Sequence, residues 1–250
     1  MFTGPNIITD GLVLALDAAN TKSYPGSGTT WYDLSGNGNN STKVGTIYSQ
    51  NGYMTFPGTG ERDSAPVGEY ITLNTSTTTT SPSDKPNGVT YNVWMRFTGN
   101  QPTGHGIFFG STTINHIEFR GSNVTSGYWR TEAVTQNGYS FGGGGTNADG
   151  GHVLNEWFNL TLVFANNETN RPVRWYRDGV LFHTGNMTGG SNPSGEYFRP
   201  NSFGRSTGTD SFKYVESFKG DMSNLQIYNK ALTSQEVLQN YNATKSRFGL

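Results

Sequence analysis

The chain has 250 residues, a net charge of −1 and no cysteine. The absence of cysteine excludes disulfide frameworks, thiolate metal sites and cysteine catalysis, and the lack of a basic stripe disfavours nucleic-acid and membrane-surface partners. Glycine occurs 34 times, only 14% of the residues are charged, and 15 Phe, 13 Tyr and 5 Trp supply core material. A chain of this length can hold one large β-domain or two small ones, and we expect one. The composition predicts strands joined by many turns, because glycine accepts backbone angles that other residues avoid. Residues 1–9 show no secretion signal, and no stretch has the length of a transmembrane helix.

The first predicted strand is a continuous apolar run. Leu12–Leu16 is apolar at every position, which predicts a strand buried on both faces, with a helical turn as the alternative. The following segment, 21–40, is rich in turn residues and predicts a long surface loop anchored by Trp31 and Leu34.

Two short strands are predicted next, at Tyr53–Phe56 and Glu69–Leu73. A stretch rich in Thr, Ser and Pro follows at 74–88, and its composition suits a linker or a loop. Because strand patterns of the same type resume after it, we expect a long loop within one domain.

Two later segments alternate with a period of two, which predicts strands with one face on a core. The core-facing residues are Tyr91, Val93, Met95 and Phe97 in the first segment and Phe158, Leu160, Leu162 and Phe164 in the second. Trp94 interrupts the polar side of the first segment.

A hairpin is predicted around Asp178-Gly179, because this pair suits a type I′ turn in which both central residues have positive φ. The predicted register places Trp175 opposite Phe182 and Tyr176 opposite Leu181. Four residues then share the core face: Val173, Trp175, Val180 and Phe182.

The C-terminal part combines a strand at Met222–Tyr228 with a helix. Thr233-Ser234-Gln235-Glu236 forms a capping box that predicts a short helix beginning at Ser234, and 245–250 is expected to be a tail. Together these elements predict an antiparallel β-sandwich with one short C-terminal helix.

The order of the segments resembles the concanavalin A-like, laminin-G-like jelly-roll domain. The resemblance covers 11–242 and rests on GLVLALDAAN, WYDLSGNGNN, YNVWMRF, EWFNLTLVF, VRWYRDGVLF and the closing FKGDMSNLQIYNKALTSQEVLQNYN. It implies an N-terminal arm at 1–10, the jelly roll at 11–242 and a C-terminal tail at 243–250.

Within that family, the GLVL-LDAAN start, the SYPGSGTTWYDLSGNGNN loop and the YNATK-RFGL tail resemble modules of virion proteins of tailed marine or cyanobacterial phages. The resemblance implies a non-enzymatic virion component assembled in the bacterial cytoplasm, such as a capsid decoration protein, a head fibre or a tail-associated adhesin. Its expected partners are other virion proteins, further copies of itself and glycans. A carbohydrate-binding module is the alternative function, and a glycoside hydrolase ranks last.

Calcium is the metal that the resemblance suggests. Asp17, Asp33 and Asn37 are the candidate ligands by position, since calcium prefers oxygen ligands; the alternative is that Asp33 and Asn37 shape turns through Asx hydrogen bonds. Relatives carry an acid in the last strand where this chain has Ser223, with Asp221 two residues earlier. No cofactor is required by any pattern in the sequence.

The candidate glycan contacts are aromatic side chains: Trp31, Trp94, Tyr128 and Trp129. Each also suits a core position, and for Trp94 the core is favoured because both faces of a jelly-roll sheet are often covered. No pair of carboxylates typical of glycosidases is visible. Glu118, with His116 and Arg120 on the same alternate face, is expected to line a solvated strand, and no two of the four histidines have zinc-site spacing.

Overall fold

The computed structural model describes residues 5–58, 69–73, 87–101, 105–110, 115–120, 128–133, 143–144, 152–165, 168, 172–186, 201–204 and 217–250. Between 102 and 151 it describes the side chains of Phe109, Ile117 and Phe119, and otherwise the backbone of the strands alone. The strands are β1 (Leu12–Asp17), β2 (Thr30–Trp31), β3 (Ser41–Val44), β4 (Tyr48–Gln50), β5 (Tyr53–Pro57), β6 (Tyr70–Thr72), β7 (Val89–Phe97), β8 (His105–Gly110), β9 (Asn115–Arg120), β10 (Tyr128–Ala133), β11 (Gly143–Gly144), β12 (Phe158–Phe164), β13 (Pro172–Arg177), β14 (Val180–Asn186), β15 (Ser202–Phe203) and β16 (Lys219–Tyr228). Helix α1 (Ser234–Thr244) and a 3-10 turn (Lys245–Phe248) follow.

The strands form two antiparallel sheets. Sheet A has the order β14-β13-β12-β7-β16-β5-β4, and sheet B has the order β11-β10-β9-β8-β15-β6-β3-β2. Strand β16 pairs with β7 along one side, and with β5 and then β1 end to end along the other. The register shifts between Met222 and Asn224, where the neighbour of β16 changes from β5 to β1. Strand β16 is therefore the central strand that unites the two ends of the chain.

The main core lies between the two sheets. The predicted alternation is confirmed, because the inward row of β7 and the inward row of β12 are both buried in it. Sheet B contributes large rings from its own inward face, namely Trp31, Phe109, Phe119 and Phe203. Burial of these rings stabilises the sandwich, since each large aromatic side chain removes about 150–250 Å² of its surface from water. The predicted fold class, an antiparallel sandwich with a short C-terminal helix, is confirmed.

The hairpin between β13 and β14 has the predicted turn but a different register. Asp178 and Gly179 both have positive φ, 52° and 78°, and Tyr176 faces Leu181 as predicted. The pairing of Trp175 with Phe182 was wrong, because a register shift between Trp175 and Tyr176 places Trp175 opposite His183. The core position of Val180 was also wrong, since this residue is 66% exposed.

The N-terminal segments follow the sequence pattern closely. Leu14 and Leu16 of β1 are buried in the core, as is Trp31. Leu34 is 38% exposed, so it does not anchor its loop as predicted. The strand predicted at 53–56 corresponds to β5, and the strand predicted at 69–73 corresponds to β6. Residues 74–86 of the predicted loop lie outside the described residues.

The C-terminal helix begins where the capping box predicts. Thr233 is its N-cap, and the reciprocal hydrogen bonds with Glu236 are both present. The segment expected as a tail forms the 3-10 turn and packs against sheet A, and Ile8 near the other end donates its N–H to Asn240 Oδ1 (2.8 Å). No helix in the described part of the chain is both long enough and apolar enough to span a bilayer.

Candidate functional site

The face of sheet A that points away from the main core is covered by the C-terminal segment. Trp94 projects from β7 onto this face, where its indole Nε1 donates to Thr244 Oγ1 (2.8 Å). Its ring stacks on Tyr241 at 5.7 Å and on Phe248 at 4.1 Å between centroids. The helix and the 3-10 turn therefore form a further layer over the sheet, and Trp94 is buried under it.

A buried polar network lies on the same face. Asn92 Nδ2 donates to Gln226 Oε1 (2.7 Å), and Asn92 Oδ1 accepts from Asn159 Nδ2 (2.7 Å) and from Thr161 Oγ1 (2.8 Å). These four side chains come from three adjacent strands, β16, β7 and β12. Because a buried amide is costly unless its hydrogen bonds are made, the network fixes the relative register of the three strands.

Beside the covered region, three side chains form a compact cluster that we call the Arg96 triangle: Tyr53, Arg96 and Trp157. The guanidinium carbon of Arg96 lies 4.9 Å from the ring centroid of Tyr53 and 4.9 Å from that of Trp157. The two ring centroids are 5.6 Å apart, edge to face. Such distances are those of cation–π contacts, which hold the guanidinium in place. Phe248 also contacts Trp157, with ring centroids 4.9 Å apart and an interplanar angle of 45°.

Asp221 holds the guanidinium from behind. Arg96 Nε donates to Asp221 Oδ2 (2.7 Å), and Thr55 Oγ1 donates to Asp221 Oδ1 (2.6 Å). Both carboxylate oxygens are therefore engaged, and Asp221 itself is buried. Ser223 lies at the register shift of β16 and donates its hydroxyl to the carbonyl oxygen of Gly52 (3.0 Å).

The outward donors of the Arg96 triangle are not engaged by the described residues. Within that part of the chain, Arg96 Nη1 and Nη2, the Trp157 indole N–H and the Tyr53 hydroxyl make no hydrogen bond. The Arg96 side chain is 22% exposed, and both rings are half-buried. Four donor groups of fixed position therefore remain available to a ligand at this surface.

The three calcium candidates do not assemble as one ligand set. Both carboxylate oxygens of Asp17 accept hydrogen bonds from Arg247 (2.8 and 2.9 Å). Asp33 accepts four hydrogen bonds, from the N–H groups of Ala15, Ser35 and Asn39 and from the Ser35 hydroxyl. Asn37 donates its amide to the carbonyl of Leu12 and to Ser35 Oγ. The alternative of turn-shaping hydrogen bonds describes Asp33 and Asn37 in this structure.

The four aromatic glycan candidates divide into two groups. Trp31 lies in the core between the sheets and Trp94 lies under the C-terminal segment, so neither ring reaches solvent to meet a glycan, and the core alternative favoured for Trp94 is the observed one. Tyr128 and Trp129 belong to β10, opposite Arg120 and Phe119 in the ladder. Their side chains lie outside the described residues.

The carboxylates of Asp178 and Glu236 take part in a hairpin turn and in a helix cap. Burial raises the pKa of Asp178, but this carboxylate accepts from the Asn159 N–H (2.9 Å) inside the hairpin turn. Burial also acts to raise the pKa of Glu236, yet hydrogen bonds from Lys230 and Thr233 outweigh it and hold that pKa below its usual range. Over the described residues no group of three or more His, Asp or Glu side chains is placed to hold a metal ion.

The histidines occupy unrelated positions. His152 is buried against the rings of Phe97, Phe119 and Phe158, and His183 lies opposite Trp175 in the β13–β14 ladder. The side chains of His105, His116, Glu118 and Arg120 lie outside the described residues.

Sequence reasoning missed the Arg96 triangle. Its members come from three separate segments, the β4–β5 hairpin, the end of β7 and the residue before β12. Arg96 could have been noticed in the sequence, because it is a charged residue on the same outward row of β7 as Trp94. No pattern near Arg96 predicts that Tyr53 or Trp157 lies beside it.

Comparisons with known proteins give a family and a fold. Residues 67–238 match the family described as the concanavalin A-like lectin/glucanases superfamily. No curated protein sequence matches the chain.

Among solved structures, a mutant of Trypanosoma rangeli sialidase displaying trans-sialidase activity is similar with a TM-score of 0.64 and 15% identity, over 98% of this chain and 34% of that chain. Trypanosoma rangeli sialidase in complex with sialic acid gives 0.60 and 16%, over 95% and 33%. The receptor binding domain of botulinum neurotoxin C/D mosaic serotype gives 0.58 and 13%, over 94% and 51%. The chain thus spans about a third of the sialidase chains and about half of the toxin domain, and at these identities the likeness shows the fold alone.

Proposed function

The chain belongs to the concanavalin A-like lectin/glucanases superfamily, and from that premise we propose that it is a non-catalytic attachment module that serves as a structural component of a phage virion. The virion role is supported by the resemblance of the LDAAN start, the WYDLSGNGNN loop and the C-terminal YNATK-RFGL segment to phage modules. Its partners are other virion proteins, on the capsid or on the tail.

The observation that supports a non-catalytic role is the use of the carboxylates. Glycoside hydrolysis on this type of fold needs two carboxyl groups that face each other across a cleft, one of them protonated. In the part of the chain that the structure describes, Asp17 and Asp221 are bound to arginines, Asp33 and Asp178 cap backbone N–H groups, and Glu236 completes the capping box. None of these five is free to act as a general acid or a nucleophile.

The virion role is tested by mass spectrometry of purified particles of the source phage, with the copy number per particle. Hundreds of copies support capsid decoration, and a few to dozens support a tail or fibre location. A chain that is abundant in infected cells but missing from the particles would refute the proposal.

Glycan recognition is the second candidate, and the Arg96 triangle is the observation that favours it. Saccharide sites combine aromatic rings with a few fixed polar groups, and the triangle offers two rings and unengaged donors at the surface. A glycan that binds the native state alone raises the free energy of unfolding, and with it the melting temperature, by an amount that grows with the logarithm of the glycan concentration above its Kd. A screen of neutral and acidic oligosaccharides by thermal shift, in which none moves the melting temperature, would remove this candidate.

A further inference from the structure

We infer that the Arg96 triangle binds a saccharide that carries a carboxylate. This inference rests on the second candidate function, glycan recognition, and adds to it a site and a chemical class of ligand. The three residues involved are Tyr53, Arg96 and Trp157.

The carboxylate preference follows from how Arg96 is held. Its Nε is fixed to Asp221, whose other oxygen accepts from Thr55, so the guanidinium plane is set by two successive hydrogen bonds. The contacts with Tyr53 and Trp157 restrain it further. Guanidinium groups bind carboxylates through pairs of parallel N–H···O bonds, and a group that is already oriented loses little entropy on binding. With the side chain 22% exposed and both Nη groups unengaged by described residues, that pairing is available to an incoming anion.

The saccharide part of the ligand follows from the two rings. Tyr53 and Trp157 are half-buried, and each combines an apolar ring with a hydrogen-bond donor that no described residue engages. Pyranose rings present C–H groups, which pack against aromatic ring faces, and hydroxyl oxygens, which accept hydrogen bonds from N–H or O–H donors. A small inorganic anion would use Arg96 and leave these two groups without a role.

The surrounding charges give the site a mixed electrostatic environment. Lys219 lies two residues before Asp221 on β16, so it projects from the same face of sheet A. Glu156, which precedes Trp157, is exposed. Arg96 and Lys219 are opposed by Asp221 and Glu156, so selectivity for a carboxylate comes from the directed Nη donors rather than from an excess of positive charge.

The test compares two forms of one ligand by isothermal titration calorimetry: a galacturonate tetrasaccharide and its methyl ester, which keeps the sugar and removes the charge. The wild-type chain is expected to bind the acid at least about tenfold more tightly, since hydrogen bonds to a charged group contribute about 1.5–3 kcal/mol. Competition with acetate separates recognition of the whole saccharide from binding of a carboxylate alone. Displacement by acetate at the same concentration would overturn the saccharide part of the inference.

Three variants locate the site. R96K keeps the charge but removes the paired N–H donors of the guanidinium, and is expected to weaken binding of the acid about tenfold. Y53F keeps the ring but removes the hydroxyl, and is expected to weaken binding of the acid a few-fold. R174K, at a partly exposed arginine of β13 that pairs with Glu168, is the matched control and should bind like the wild type. Melting temperatures of all three variants establish that they are folded.

The outcomes separate the site from the function. Equal binding of acid and ester, or binding unaffected in R96K and Y53F, overturns the inference while glycan recognition stands. Failure of the wild type to bind any member of a panel of neutral, uronate, sialylated and sulfated oligosaccharides overturns both. Loss of acid binding in R96K and Y53F with R174K unchanged supports the site.

Discussion

Phe248 lies nearly parallel to Trp94, with ring centroids 4.1 Å apart and an interplanar angle of 17°. This contact joins the last turn of the chain to the centre of sheet A and covers a tryptophan that would otherwise be exposed on the outer face. The segment after the helix is therefore part of the folded body of the domain.

Replacing Phe248 by alanine is expected to lower the free energy of unfolding by about 2 kcal/mol, because a half-buried ring loses both its burial and its stacking on Trp94. Urea denaturation followed by tryptophan fluorescence measures the change. L250A, at an exposed leucine two residues later, is the control and should change the free energy little. Equal, small effects of the two variants would mean that the 3-10 turn is not docked in solution.

Replacing Asn92 by alanine is expected to lower the free energy of unfolding by about 3 kcal/mol, because Gln226, Asn159 and Thr161 would each lose a buried partner. Chemical denaturation gives the value, with Q235A on the exposed side of α1 as the control. A cost below about 1 kcal/mol would show that the three partners find substitutes, for example a water molecule in the space that Asn92 leaves.

Calcium is expected to leave the melting temperature of the domain unchanged, because the oxygens of Asp33 and Asp17 already accept hydrogen bonds from N–H and O–H donors. D33A should destabilise the domain by about 2–3 kcal/mol, equally with calcium and with a chelator, since buried N–H groups lose their acceptor. D10A, at an exposed aspartate, is the control. A rise in melting temperature on adding calcium that D33A abolishes would establish the metal site instead.

The carboxyl group of Asp178 is expected to make the stability of the domain depend on pH. Burial raises the pKa of this carboxyl in the folded state, so the folded state holds the proton more tightly than the unfolded state. The free energy of unfolding therefore falls as the pH rises from the ordinary pKa of aspartate through the raised pKa of the folded state. D178N keeps an acceptor for the Asn159 N–H and suits the type I′ turn. Its stability relative to the wild type should therefore be higher at pH 7 than at pH 3.5. Denaturation curves at the two pH values measure this, and an identical difference at both would show that Asp178 does not titrate differently on folding.

Local patterns in the sequence predicted the elements whose causes are local. The capping box of Thr233 and Glu236 fixes where α1 begins, and Asp178-Gly179 fixes the turn, because each depends on backbone chemistry within four residues. The alternation in β7 likewise identified its core-facing row.

The remainder depends on partners that are distant along the chain. Period-two alternation separates the faces of β7 but does not say what covers the outer one; the partner of the Trp94 indole, Thr244, is 150 positions away. The shift between Trp175 and Tyr176 changes the register of the hairpin without a glycine or proline to mark it. The Arg96 triangle draws on three segments that have no mutual pattern in the sequence.

Strand β16 pairs with β1, and Ile8 contacts Asn240 across 232 positions of sequence. During translation, β1 lacks its ladder partner until residues 224–228 of β16 have left the ribosome, because Leu14 and Leu16 pair with Ile227 and Leu225. Sheet A cannot be completed before β16 has been synthesised, and contacts of such long sequence separation are associated with slow folding. In the cell, the first apolar strand of this domain is therefore open to chaperones and to competing strands while the residues between β1 and β16 are synthesised.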